Sequence, residues 1–217
     1  MSGDETPLPI AGLLALDIAT VSGFAACLPG GQPIWGHRRM GTPEAPMGET
    51  LHFFGTWIGM TLDKLRPKHV MIEQPYVPTG APAGRRARLA NSSMTLPIAG
   101  LPLDLVPSMA APINLATIWR LLAMTGRVYE ACFERGIECR HVPTQTWSKF
   151  FVGRGSGFKT KQAKKQAAID TALRYGWVAT NDEADALGIL LYAEHIFYPQ
   201  IAAKRRPTGP LFARGGR

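Results

Sequence analysis

Apolar and polar positions change rhythm several times along the chain. Three short apolar runs come first: Leu13 to Leu16, Gly23 to Leu28 and Ile34 to Arg39. The gaps between them are brief and carry Gly and Pro, which predicts an antiparallel meander. Leu51, Phe54, Ile58, Leu62 and Leu65 then recur at helical spacing, and the helix must end before Pro67. His69 to Gln74 reads as a short buried strand closed by Pro75. A second amphipathic helix is expected from about Asn114 to Arg135, followed by a strand in "IECRHV". A short helix from Thr144 to Phe151 leads into the glycine-rich loop "VGRGSGFKT". Helices over about Thr160–Tyr175 and Asn181–Phe197 close the pattern.

The order is therefore βββαβαβ followed by helices, an α/β class with a mixed sheet and helices on both faces. In such sheets functional groups gather at the carboxyl ends of the parallel strands. Residues 77–113 interrupt the rhythm with Pro, Gly, Ala and Ser and the run "GRRAR". A stretch that long without periodicity reads as an insertion in the fold. The expected division is a flexible N-terminus over 1–10, one domain over 11–200 carrying the insertion, and a basic disordered tail over 201–217.

Composition adds a partner. The 217 residues are 46% hydrophobic and 18% charged, as in a folded soluble protein, yet Lys and Arg outnumber Asp and Glu by 24 to 16. A net charge of +8 favours a polyanion, with nucleic acid first and an anionic membrane surface second. No apolar run approaches a membrane span, and the acidic start "MSGDETPLP" is unlike a signal peptide. Cys27, Cys132 and Cys139 lack CxxC spacing, which predicts reduced thiols and a cytoplasmic location.

The acidic residues carry the chemistry. Asp17 ends one apolar strand and Glu73 ends another. Asp182 and Asp185 share one face at the start of the last helix, with Glu183 about 100° away. A turn aspartate, a solvated strand end and a helix-dipole pair would each explain one position. None explains Asp185, which enters an apolar stretch where a lone carboxylate is costly. Carboxylates that converge repel unless cations lie among them, and oxygen-only ligands suit two Mg²⁺ ions, or Mn²⁺. In a basic protein that combination reads as a metal-dependent nuclease.

The segments "LALDIATVSGFAA", "VMIEQPY" and "DEADALGILL", in this order and spacing, resemble the RuvC-type Holliday junction resolvases of the ribonuclease H-like superfamily, the phage-borne variants in particular. The resemblance implies a ribonuclease H-like five-stranded mixed sheet. It implies that Asp17, Glu73, Asp182 and Asp185 are the catalytic, metal-binding carboxylates. It further implies Mg²⁺-dependent incision of branched DNA by a homodimer, leaving 5′-phosphate and 3′-hydroxyl ends, in a bacterial or phage-infected cell and without a small-molecule cofactor. On the DNA side it assigns Tyr76 to unstacked junction bases and Lys159 to the neighbourhood of the scissile phosphate. Arg154, Lys161 and Lys165 extend that basic face together with Lys164, and Lys149 stands in for a lysine that the family carries before the glycine loop. Two alternatives remain: an inactive nucleic-acid-binding protein on the same fold, and an ATPase. The near-match to a phosphate-binding loop has Phe158 where a glycine is required, which weighs against the ATPase.

Overall fold

The computed structural model describes residues 11–42, 44–75 and 115–205. It divides into two units, a larger one of Met1–Pro75 with Arg120–Arg217 and a smaller one of Tyr76–Trp119. Of the smaller unit only 115–119, the first turn of a helix, lies among the described residues. The insertion 77–113, Tyr76 and the tail beyond Arg205 lie outside them.

The larger unit is a five-stranded sheet formed by β1 (Leu13–Asp17), β2 (Val21–Cys27), β3 (Ile34–Arg39), β4 (His69–Glu73) and β5 (Glu138–Val142). Its spatial order is β3-β2-β1-β4-β5. The first three strands pair antiparallel, whereas β1–β4 and β4–β5 pair in parallel. The meander and the mixed sheet are as the sequence pattern predicts. The second strand starts two residues earlier than expected. The buried Ser22 hydroxyl donates to the Ala19 carbonyl at 2.8 Å and accepts from the Ala19 N–H at 3.2 Å. That local bond satisfies the turn from within the strand, so Ser22 and Gly23 belong to the ladder.

Strand alternation sends side chains to two cores. Leu14, Leu16, Val70 and Ile72 face α1 (Met47–Leu65) and α2 (Leu115–Glu134), where they meet Phe54, Ile58, Leu62, Met124 and Val128. Leu13, Ala15 and Met71 face the opposite layer, built from α3 (Thr144–Val152), α4 (Lys161–Arg174) and α5 (Asn181–Phe197). Helix α5 is buried nearly all round because the sheet covers one side and α3 and α4 the other. Gly188 allows this sandwich: a Cβ there would stand 2.7 Å from the Phe151 ring and 2.9 Å from Trp147. Among the described residues no helix is long and apolar enough to cross a membrane.

The fold continues past position 200. Helix α6 (Pro199–Ala202) leads to Arg205, whose guanidinium donates twice to the buried Glu194 carboxylate, at 2.6 and 2.9 Å. Glu194 also accepts from the Gly30 N–H at 2.7 Å, and Arg205 donates to the Gly31 carbonyl at 2.8 Å. The pair thus ties α5 and the segment that follows α6 to the β2–β3 turn. Arg205→Ala would leave the Glu194 charge buried with one donor, and should lower stability by about 3 kcal/mol in urea unfolding.

Candidate active site

Period-two alternation aims both strand-end acids at the same layer. Asp17 continues the series Leu13, Ala15, and Glu73 continues the series His69, Met71, so each faces the α5 side. The parallel register pairs Leu16 with Ile72, and Asp17 and Glu73 follow as the next residues on neighbouring strands. Asp182 and Asp185 come from the first turns of α5 on that same layer. All four acids are partly buried at one end of the sheet.

Electrostatics shows how close they stand. Burial, then the charges of Glu73, Asp185 and Asp182, hold the Asp17 carboxyl well above its ordinary range, with Lys164 opposing. Burial likewise raises Glu73, against hydrogen bonds from Thr144 and Trp147 and the charge of Lys164. Asp185 is pushed up to about 7 by burial and by Glu73, with Lys164 and Lys165 pulling the other way. Burial makes each of the three easier to protonate, and anionic neighbours add to this at Asp17 and Asp185. Among the described residues no set of three or more Asp, Glu, His or Cys side chains closes around one point at ligand distance. The acids stand as repelling neighbours. Their all-oxygen donor set and mutual repulsion fit a hard divalent cation.

Glu183 is not part of this group. Its carboxylate accepts from the Thr180 N–H at 2.7 Å, one half of a capping box, and meets His37 Nδ1 at 2.8 Å. Burial opposes its ionisation, but these partners outweigh it and hold Glu183 below the usual range.

Three residues to which the sequence reading gave no place among the acids shape the site. Thr144 and Trp147 lie three apart on α3, and the Thr144 hydroxyl donates to Glu73 Oε1 while Trp147 Nε1 donates to Oε2 at 3.3 Å. Both oxygens of Glu73 are thereby oriented by one helix face. The third is Lys164, whose ammonium lies 5.3 Å from the centre of the buried Trp147 ring. It is the cation that acts on three of the four acids. The sequence placed Lys164 in a basic cluster, but only the packing of α4 on α3 separates it from its neighbours.

The expected DNA-contacting residues fall into distinct places. Lys165 reaches Asp182 at 3.9 Å, and Lys159 and Lys161 are exposed beside it. The Arg154 guanidinium lies 4.2 Å above the Phe158 ring, and its carbonyl accepts from the buried Ser148 hydroxyl at 3.1 Å, pinning the glycine loop to α3. Lys149 is exposed two positions after Trp147, about 200° around α3 from the face that holds Glu73. Lys164, not Lys149, neighbours the acids. Tyr76 lies outside the described residues.

Gly23 sets the spacing between sheet and helix. It pairs with Asp17 across the β1–β2 ladder, and a Cβ there would stand 2.0 Å from the Asp182 carbonyl oxygen and 3.3 Å from the Ala186 Cβ. The obstacle is helix backbone, so the helix would have to move. Gly23→Ala should cost about 1–3 kcal/mol in thermal unfolding and draw Asp182 away from Asp17. In EDTA, Asp17→Asn should instead stabilise the protein by about 1–2 kcal/mol at pH 8, because one of the repelling charges is gone. The raised acids bind protons more tightly folded than unfolded, so the wild type itself gains stability as pH falls through about 7. The advantage of Asp17→Asn should therefore shrink by pH 5; melting curves at the two pH values check this.

No family model and no curated protein matches the sequence. Solved structures do match. Thermus thermophilus RuvC aligns over 87% of this chain and 95% of its own, with TM-score 0.53 and 16% identity. T. thermophilus RuvC in complex with Holliday junction substrate aligns over 87% and 94%, with TM-score 0.56 and 15% identity. The yeast mitochondrial Holliday junction resolvase Ydc2 aligns over 92% and 86%, with TM-score 0.50 and 10% identity. These identities speak to architecture: the chain has the RuvC-type, ribonuclease H-like fold, a five-stranded mixed sheet with helices on both faces.

Proposed function

We propose that this protein is a metal-dependent endonuclease that hydrolyses phosphodiester bonds in branched DNA. The observation that carries the reading is the meeting of four acids from two strand ends and one helix start, beside Lys164 and Lys165, on the fold of junction resolvases. Neutral polar residues would hold such a fold with less repulsion, so the retained charges point to a cation and a reaction.

Asp17, Glu73, Asp182 and Asp185 would hold Mg²⁺, two ions in the reading favoured here, and Mn²⁺ would serve in the same donor set. Such ions, when bound, ease deprotonation of water and stabilise the charge on the departing oxygen. The overall step forms a bond from water oxygen to phosphorus and breaks the P–O3′ bond, with a proton passing to the 3′ oxygen. The products carry 5′-phosphate and 3′-hydroxyl ends. The chain's own residues prepare this site. Thr144 and Trp147 fix the Glu73 carboxylate, and the packing of α5 on Gly23 fixes Asp182. Lys164 offsets negative charge among the acids, and Lys159, Lys161 and Lys165 offer phosphate contacts. A homodimer would present two such sites to a branched substrate.

Labelled four-way junction, flap and plain duplex, each with Mg²⁺ or EDTA, test the reading. Cleavage of a branched substrate should require the metal and leave ends that ligate. Asp17→Asn and Glu73→Gln should each lower the rate by about a thousandfold or more while junction binding persists, since the phosphate-contacting cations are untouched. Binding without metal-dependent cutting would favour the inactive DNA-binding alternative.

A further inference from the structure

Side chains from two elements reach the acidic start of α5, and only one of these elements is α4. Asp182 meets Lys165 of α4 at 3.9 Å, whereas the adjacent Glu183 meets His37 of β3 at 2.8 Å. The ladder runs Asp17 to Gly23 to His37, so two strand spacings of about 4.8 Å put β3 roughly 10 Å from Asp17. Arg38 and Arg39 follow His37 at that end of the sheet, both exposed, and Arg38 turns over the sheet's edge to the α1 face, opposite the face that carries the acids. Among the described residues neither is held in an ion pair. The Arg38 guanidinium lies 5.0 Å from the centre of the Phe53 ring on α1, and Phe53 is 39% exposed. Beside this pair opens a hollow of about 460 Å³ between β3 and the start of α1, lined by Arg39, Met40, Thr42, His52 and Phe53, with Glu49 on its wall. That volume falls within the roughly 300–1,000 Å³ typical of small-ligand pockets.

A DNA strand crossing the acids is repelled by them unless cations lie both before and after. Lysines of α4 supply one side. We propose that Arg38, Arg39 and Phe53 supply the other, taking unstacked nucleotides of the cut strand, with a base against the Arg38–Phe53 pair and a phosphate on Arg39. This rests on the nuclease reading. Guanidinium planes and aromatic rings are the groups on which unpaired bases stack, and a guanidinium is matched to phosphate. A lone basic patch would bind duplex and single strand alike; the aromatic partner and the hollow select bases free of the stack. Glu49 on the wall disfavours a second phosphate there and leaves the hollow to a base.

Anisotropy measurements on the full chain in EDTA, with a four-way junction, a gapped junction carrying unpaired bases, and plain duplex, test this. The double variant Arg38→Gln/Arg39→Gln should weaken junction binding about tenfold or more and flatten its salt dependence by between one and two counterions. Arg66→Gln/Lys68→Gln removes the same charge at the opposite end of the sheet and should bind nearly as wild type. Phe53→Ala should lose at least fivefold more on the gapped junction than on duplex. All side chains substituted are exposed, and melting curves verify folding. If the wild type cuts branched DNA while the two double variants bind equally, this proposal fails and the nuclease reading stands. If Phe53→Ala loses equally on every probe, the base contact fails. A wild type that binds no branched DNA overturns both readings.

Discussion

The first turn of α5 lies so close to β2 that no side chain fits between them. The missing Cβ of Gly23 is the space that the Asp182 carbonyl occupies. That contact decides how far the helix-borne acids stand from Asp17, its ladder partner, and so how strongly the group repels. Everything else at this end adjusts to it. The His37–Glu183 contact and the Lys165–Asp182 pair flank the seated turn from β3 and from α4.

Crowding acids in this way destabilises the folded chain, and the surrounding residues limit the damage without abolishing it. The amide end of α5 favours negative charge near its first turn. Thr144 and Trp147 satisfy both oxygens of Glu73. Lys164 reaches over the Trp147 ring toward three acids. None of these removes the cost: burial keeps Asp17, Glu73 and Asp185 harder to ionise than free carboxyls, and neighbouring charges add to it at Asp17 and Asp185. A fold that leaves such a deficit at one end needs firm packing elsewhere. The Glu194–Arg205 pair, with Gly30 and Gly31, closes the other end of the sheet, and the α3–α5 contact through Gly188 keeps Trp147 within reach of Glu73.

Much was legible from the chain by itself. Short apolar runs with Gly and Pro between them gave the meander, and helical spacing gave α1 and α5 to within a few residues. Local patterning placed Asp17 and Glu73 at the ends of apolar runs and marked Asp185 as costly, because it shows where a charge enters an apolar stretch. These features depend on residues near each other in sequence, which is why a sequence can show them.

Contacts between distant segments were another matter. Nothing local distinguishes Lys164 from Lys161 or Lys165; the crossing of α4 over α3 does. Thr144 reads as a helix start until β4 brings Glu73 beside it. Gly23 reads as the start of the second strand, and only the seating of α5, some 160 positions later, shows that it is a spacer. Helix geometry set Glu183 off the face of Asp182 and Asp185, but only the fold shows that His37 and Thr180 hold it. The sequence determined which charges the chain would have to bury. The tertiary structure decided which partners they meet, because partner choice follows from how helices pack across a sheet, and that is a property of the whole chain at once.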